Sequence, residues 1–337
     1  MELGKLPEHI RERAVKKHLT FKQPEHIEQA GHGRQNGFYS IGQQDIVTAQ
    51  ETVTGKDDMK LLLVRVLNDL WAAKAKPAGV SLSILLSQRM REIMLRKLVQ
   101  EAAEYLEQYG VDLTAVDTQI TDAVSEPVIV ASAIGRAGDG PDSWSVARKQ
   151  ESPEQYSILC AGWCGASGMQ LLGRHPKLEE RFSNRYREEA SEVYKDLTVR
   201  AAAEAVKDCS IYLQNASQTG IFGALWDLSE SLDAGFSVEI DKLPLRQETI
   251  EYCEVFDKNP YLIPSDGALL VVTATPGKAM EGLANAGIPV AMIGHLKGGN
   301  DKLLVSFDDG EREERFLDSP RGDELFDELF DASVERS

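Results

Sequence analysis

The stretch from Ile211 to Pro260 constrains the fold of this chain more than any other. A β-prone entry, Ile211-Tyr212-Leu213, runs through a polar turn to Gly220, and Ile221, Phe222, Leu225, Trp226 and Leu228 then recur at helical spacing. That spacing predicts a strand, a tight turn and the start of a helix. A second strand at Phe236 to Ile240 follows, then a break at Leu243-Pro244 and a helix that stops before Asn259-Pro260, because a proline biases the preceding residue away from helical backbone.

The first half has the same alternation. Asp45 to Gly55 reads as a strand, and Asp57 to Lys76 as a helix whose Leu62, Leu63, Val66, Leu67 and Leu70 form a wide apolar face. Ala78 to Ser87 is a further strand, Gln88 to Tyr109 a long helix, and Val111 to Thr118 and Pro127 to Gly135 two more strands. The order β-α-β-α-β-β predicts mixed α/β layers. Neither a GxxxxGK[ST] phosphate loop nor a dinucleotide fingerprint is present. Ahead of this region lie a short helix, Leu6 to Thr20, and a glycine-bearing loop, Ala30 to Gly37. Its backbone can approach an anion closely and Arg34 adds a positive charge, although a plain flexible loop reads equally well. Ala137 to Glu154 is rich in Gly, Pro, Ser and charge and marks a domain boundary. Beyond it come a strand at Tyr156 to Ala161, the turn GWCGASG, helices to Lys207, and a closing run of strand, helix, strand, strand from Ala268 to Phe307. The expected division is 1–44, an N-terminal helix and loop; 45–138, the first domain; 152–318, the second; and 319–337, an acidic tail.

At 337 residues the chain is long enough for two such domains. Its formal net charge of −17 would repel a phosphate backbone, which argues against nucleic-acid binding. Much of the acidic excess falls after Phe307 and reads as solvated surface. No apolar run reaches the length of a membrane span and no apolar leader is evident, so the expectation is a cytoplasmic protein. Cys160, Cys164, Cys209 and Cys253 do not form a disulfide framework, and the six histidines lack zinc-ligand spacing.

Three blocks carry a resemblance: GIFGALWDL at Gly220 to Leu228, PLRQETIEYCEVFDKNPY at Pro244 to Tyr261, and AGIPVAMIGHLKGGN at Ala286 to Asn300. They resemble the C-terminal domain of the aminoimidazole-ribonucleotide (AIR) synthase-related, PurM-like superfamily, in particular its members akin to the hydrogenase-maturation carbamoyl dehydratase. In the first half, VLNDLWAAKAKP at Val66 to Pro77 and PVIVASAIGRA at Pro127 to Ala137 resemble the same family. The resemblance implies a two-domain α/β (α+β) fold, with first-domain strands forming a barrel across a homodimer. It also implies ATP-dependent chemistry in which acidic side chains hold Mg2+ on the nucleotide phosphates, a role suited to hard oxygen ligands.

Carried over residue by residue, the resemblance assigns Arg34, Asn68, Asp69, Thr118, Asn215 and Gly220 to the nucleotide, and Asp69, Glu51 and Asp117 to the metal. Several expected acids are replaced. Glu51 stands for an aspartate in QETVTG, Arg34 and Gln35 stand where two acids are expected, and Gln214-Asn215 replaces a His-Asp pair. Amides bring no charge to a divalent-metal site, and an arginine opposes the cation. The final residues ASVERS lack the cysteine that would carry a carbamoyl group, which speaks against carbamoyl dehydration.

Two readings follow. One is a homodimer that binds a nucleotide, another phosphorylated metabolite or a protein partner through a degenerate Mg-ATP site. The other is an active ATP-dependent enzyme in which Glu51, Asp69 and Asp117 hold one metal and Arg34 contacts phosphate directly. The number of replaced acids favours the first.

Overall fold

The computed structural model describes residues 10, 13–15, 26–28, 37–55, 59–137, 152–192, 196–319 and 325. The residues expected to form the N-terminal helix fall mostly outside this set, as do Arg34, the boundary segment 138–151 and nearly all of the acidic tail. Two compact units emerge, the first from elements between 26 and 137 and the second from elements between 152 and 319.

The first unit contains β1 (His26–Glu28), β2 (Gly37–Ile41), β3 (Gln44–Thr54), α1 (Met59–Ala72), β4 (Ala75–Leu86), α2 (Glu92–Glu107), β5 (Asp112–Ile120) and β6 (Val128–Ala137). Its six strands lie in the order β1-β2-β3-β6-β4-β5. The β4–β5 pair is parallel because α2 carries the chain back to the starting edge, and every other pair is antiparallel. The leucine face expected on α1 forms as read: Leu62, Leu63, Val66, Leu67 and Leu70 are all fully buried, packed with Val47, Leu82, Ile129 and their neighbours. The helix stops earlier than its pattern implies. Lys74 turns into the left-handed region at φ 57, and the expected last helical residues, Ala75 and Lys76, begin β4 ahead of Pro77.

The expected barrel is corrected by this topology. Closure would require the two edge strands to hydrogen-bond to one another, yet β1 pairs only with β2 and β5 only with β4, so the sheet is open. The two-domain α/β arrangement itself stands.

The second unit contains β7 (Ser157–Ala161), α3 (Ala166–Leu172), α4 (Lys177–Arg181), α5 (Asn184–Glu192), α6 (Arg200–Val206), β8 (Tyr212–Asn215), α7 (Gly220–Leu232), β9 (Gly235–Glu239), α8 (Gln247–Val255), β10 (Leu269–Thr273), α9 (Pro276–Asn285), β11 (Val290–Lys297), β12 (Lys302–Asp308) and β13 (Glu311–Phe316). Its sheet runs β13-β12-β9-β11-β7-β10-β8. The core gathers Ile158, Tyr212, Leu270 and Val272 from the strands with Ile221, Leu225, Leu228 and Leu232 from α7. Sequence periodicity did not reveal β13: its residues EREERF are exposed throughout and form an edge ladder against β12.

Candidate functional site

The sheet register places the first unit's candidate residues. Glu51 of β3 pairs with Ala131 of β6, Ala131 with Leu82 of β4, and Leu82 with Val116 of β5. Directly paired residues share a face, so Glu51 projects with Val47, Ala49 and Val53 toward the side covered by α1, and it is only 7% exposed. Asp117 pairs with Ser83 and therefore projects from the opposite face, where it is exposed. The strands β3 and β5 are three positions apart, or about 14 Å at the usual interstrand spacing. Thr118, paired with Ile84, lies on the face of Glu51 but on the edge strand, exposed. Asn68 is fully buried on α1 and its neighbour Asp69 half-buried.

Opposite faces rule out Glu51 and Asp117 as joint ligands of one ion in this arrangement. Among the described residues, no three His, Cys, Asp or Glu side chains stand together as a metal-holding group. These residues do not fit a magnesium ion held by three carboxylates of the chain itself.

In the second unit, Gln214 and Asn215 end the edge strand β8, both buried. The Tyr212 hydroxyl donates to Gln214 Oε1 at 3.0 Å, and Gln214 Nε2 donates to the Asn215 carbonyl at 3.2 Å, so the glutamine amide is engaged within its own strand. Gly220 opens α7 at φ 67. A Cβ there would stand 2.5 Å from the Tyr261 carbonyl oxygen and 2.7 Å from that of Ile263, so the close approach that requires glycine is made by the chain itself. The Phe222 N–H donates to the Tyr261 carbonyl at 3.2 Å and the two rings stack with centroids 5.0 Å apart.

The turn between β7 and α3 clasps the same segment. The Gly165 N–H donates to Ser265 Oγ at 2.8 Å, which in turn donates to the Ile263 carbonyl at 3.0 Å, and the Gly168 N–H donates to the Pro264 carbonyl at 2.7 Å. At the centre is Asp266, fully buried. Its Oδ2 accepts from Ser167 Oγ at 2.6 Å, its Oδ1 from Ser217 Oγ at 3.2 Å, and its N–H donates to Ser167 Oγ at 2.9 Å. Ser167 lies in the first turn of α3, and Ser217 lies three residues ahead of α7. Helix starts carry unpaired N–H groups and partial positive charge, a setting that favours a carboxylate. Sequence reading missed this constellation. The residue preceding α7 is Thr219, with no side-chain capping bond, and Ser217 bonds Asp266. The signals in the sequence were the turn Pro264-Ser265-Asp266-Gly267 and the small-residue run Gly165-Ala166-Ser167-Gly168. Chemically, the Ser167 and Ser265 hydroxyls each donate one bond and accept another, and the arrangement ties three chain segments together.

Residues 45–137 match the family model described as AIR synthase related protein, N-terminal domain. This stretch, the first unit's β3 to β6, is an AIR synthase-related N-terminal domain. Among curated relatives, the carbamoyl dehydratase HypE of Rhizobium leguminosarum bv. viciae is 22% identical over 268 residues, spanning 77% of this chain and 73% of that protein. Among solved structures, a chain of the HypE–HypF complex superposes with a TM-score of 0.71 at 20% identity, covering 92% of this chain and 99% of that one. AaThiL, complexed with AMPPCP and TMP, superposes with a TM-score of 0.70 at 15% identity, covering 97% and 99%. At these identities the superpositions establish the shared fold. No helix among the described residues is long and apolar enough to cross a membrane.

Proposed function

We propose that this protein binds a nucleotide or another phosphorylated metabolite through a degenerate Mg-ATP site, with weak or no phosphoryl chemistry of its own. The observation that carries this reading is the placement of Glu51 and Asp117 on opposite faces of one sheet. A magnesium ion needs several oxygens converging on one point, and these two carboxylates diverge. The replacement of the expected His-Asp pair by Gln214 and Asn215 acts in the same direction, since amides neutralise no cation. In this reading Asn68, Asp69 and Thr118 contact the nucleotide from the first unit.

The protein acts as a homodimer in this reading. The uncovered face of the first sheet presents Gln50, Thr52, Ser83, Leu85, Ser132 and Ile134, all exposed in the single chain, and a second copy is its occupant. The solved complex of HypE with HypF supports a further protein partner as part of the same reading.

Calorimetric titration with ATP, with and without magnesium, tests the degenerate site. Binding that is indifferent to magnesium, and that Asp69→Ala weakens to the same extent with and without it, is expected. Magnesium-dependent binding abolished by Asp69→Ala would overturn it in favour of the active-enzyme reading. That second reading draws on the burial of Glu51, since a carboxylate at 7% exposure is unusual for a merely solvated acid, and on the solved structure of HypE in complex with ATP.

A further inference from the structure

Cys160 and Cys164 are both fully buried, and their Sγ atoms stand 3.8 Å apart. Cys160 lies within β7, held on one side by Leu270 of β10 and on the other by Ala291 of β11. Cys164 lies four residues on, in the turn that leads into α3. Gly162 and Gly165, on either side of it, both adopt positive φ, at 89 and 74. The half-buried Trp163 lies between the thiols in sequence, with the Arg246 guanidinium 5.4 Å from its ring centroid. One sulfur is thus anchored in the middle of a sheet, while the other is carried by a glycine-flanked turn that reaches the surface through Trp163.

A disulfide requires its sulfurs at about 2.05 Å, so the pair must close by about 1.8 Å. We propose that Cys160 and Cys164 are a site of reversible oxidation, at which hydrogen peroxide converts the pair into an intrachain disulfide that pins the turn between β7 and α3. The thiolate of one cysteine attacks a peroxide oxygen, the O–O bond breaks, and the departing hydroxide takes up a proton to leave as water. The resulting sulfenic acid is attacked by the second sulfur, which gives up its proton as the S–OH oxygen leaves as a second water. Two thiols are oxidised and one peroxide is reduced. The neighbouring thiol captures the sulfenic acid before further oxygen can add, which a solitary cysteine cannot do.

The hydrogen bond to Cys160, followed by burial, holds the Cys164 thiol well above its ordinary pKa, which makes the reaction slow and selective for the pair over time rather than immediate. The same turn carries the Gly165 N–H bond to Ser265 and leads directly to Ser167 on Asp266, so oxidation acts on the buried polar cluster.

The other two cysteines provide internal controls. Cys253 is buried in α8, and Cys209 is half-buried with its Sγ donating to the Val206 carbonyl. The full chain is treated with hydrogen peroxide, unfolded, alkylated and mapped by peptide mass spectrometry. The expected result is a loss of two hydrogens confined to the peptide containing Cys160 and Cys164, reversed by dithiothreitol, with Cys253 still alkylated. Recovery of both Cys160 and Cys164 as alkylated thiols, or as separate oxygen adducts without that loss, would overturn the proposal.

Discussion

The hydroxyl of Ser167 donates to Oδ2 of Asp266 at 2.6 Å and accepts the backbone N–H of the same residue at 2.9 Å, across 99 residues of sequence. Asp266→Ala would leave the buried Ser167 hydroxyl without its acceptor and remove the bond from Ser217. A destabilisation of about 2–4 kcal/mol is expected, read as a lowered denaturant midpoint with unchanged slope. An unchanged midpoint would mean that the cluster does not hold the three segments together.

Gly220 is required by two independent constraints, a left-handed backbone and the carbonyls of Tyr261 and Ile263. Gly220→Ala is expected to cost more than about 1 kcal/mol and to lower the thermal midpoint. Gly277, where an added Cβ would meet nothing within 4 Å, is the control: Gly277→Ala should leave the midpoint nearly unchanged or raise it slightly.

Burial pushes the Cys253 thiol from its ordinary 9.0 up to about 12. The folded state therefore holds this proton more tightly than the unfolded chain does. The associated stability is complete below pH 9 and is lost as pH rises from 9 toward 12. Cys253→Ala should flatten the fall in stability across that window. Part of the slope would remain from Cys164, Tyr252 and Tyr261, which shift in the same direction. Chemical denaturation at several pH values measures it.

If the uncovered face of the first sheet meets a second copy, charge placed there should separate the copies. Ser132→Arg combined with Ile134→Glu is expected to convert a dimer to a monomer in light scattering, with the circular dichroism of the single chain retained, because both side chains point away from the α1-covered core. A monomeric parent protein, or an unaltered dimer in the variant, would remove this surface from the reading.

Local pattern was sufficient for the elements. The leucine spacing of α1, the alternation of β3 and the turn ahead of α7 were all legible in the sequence, because each depends on residues within one or two turns of each other. The three blocks in the second half and two in the first were likewise enough for the resemblance to AIR synthase-related proteins. The site was legible only as a set of candidate residues. Which face Glu51 or Asp117 occupies depends on register across four strands, and a one-residue slip in any of them would reverse the answer. Gly220 was legible as a tight turn, but not that its missing side chain makes room for Tyr261 and Ile263, some forty residues later. Asp266 drew no notice as an acid in a polar turn. Its burial arises only when the segments around Ser167, Ser217 and Ser265 converge, a consequence of long-range packing that periodicity does not encode.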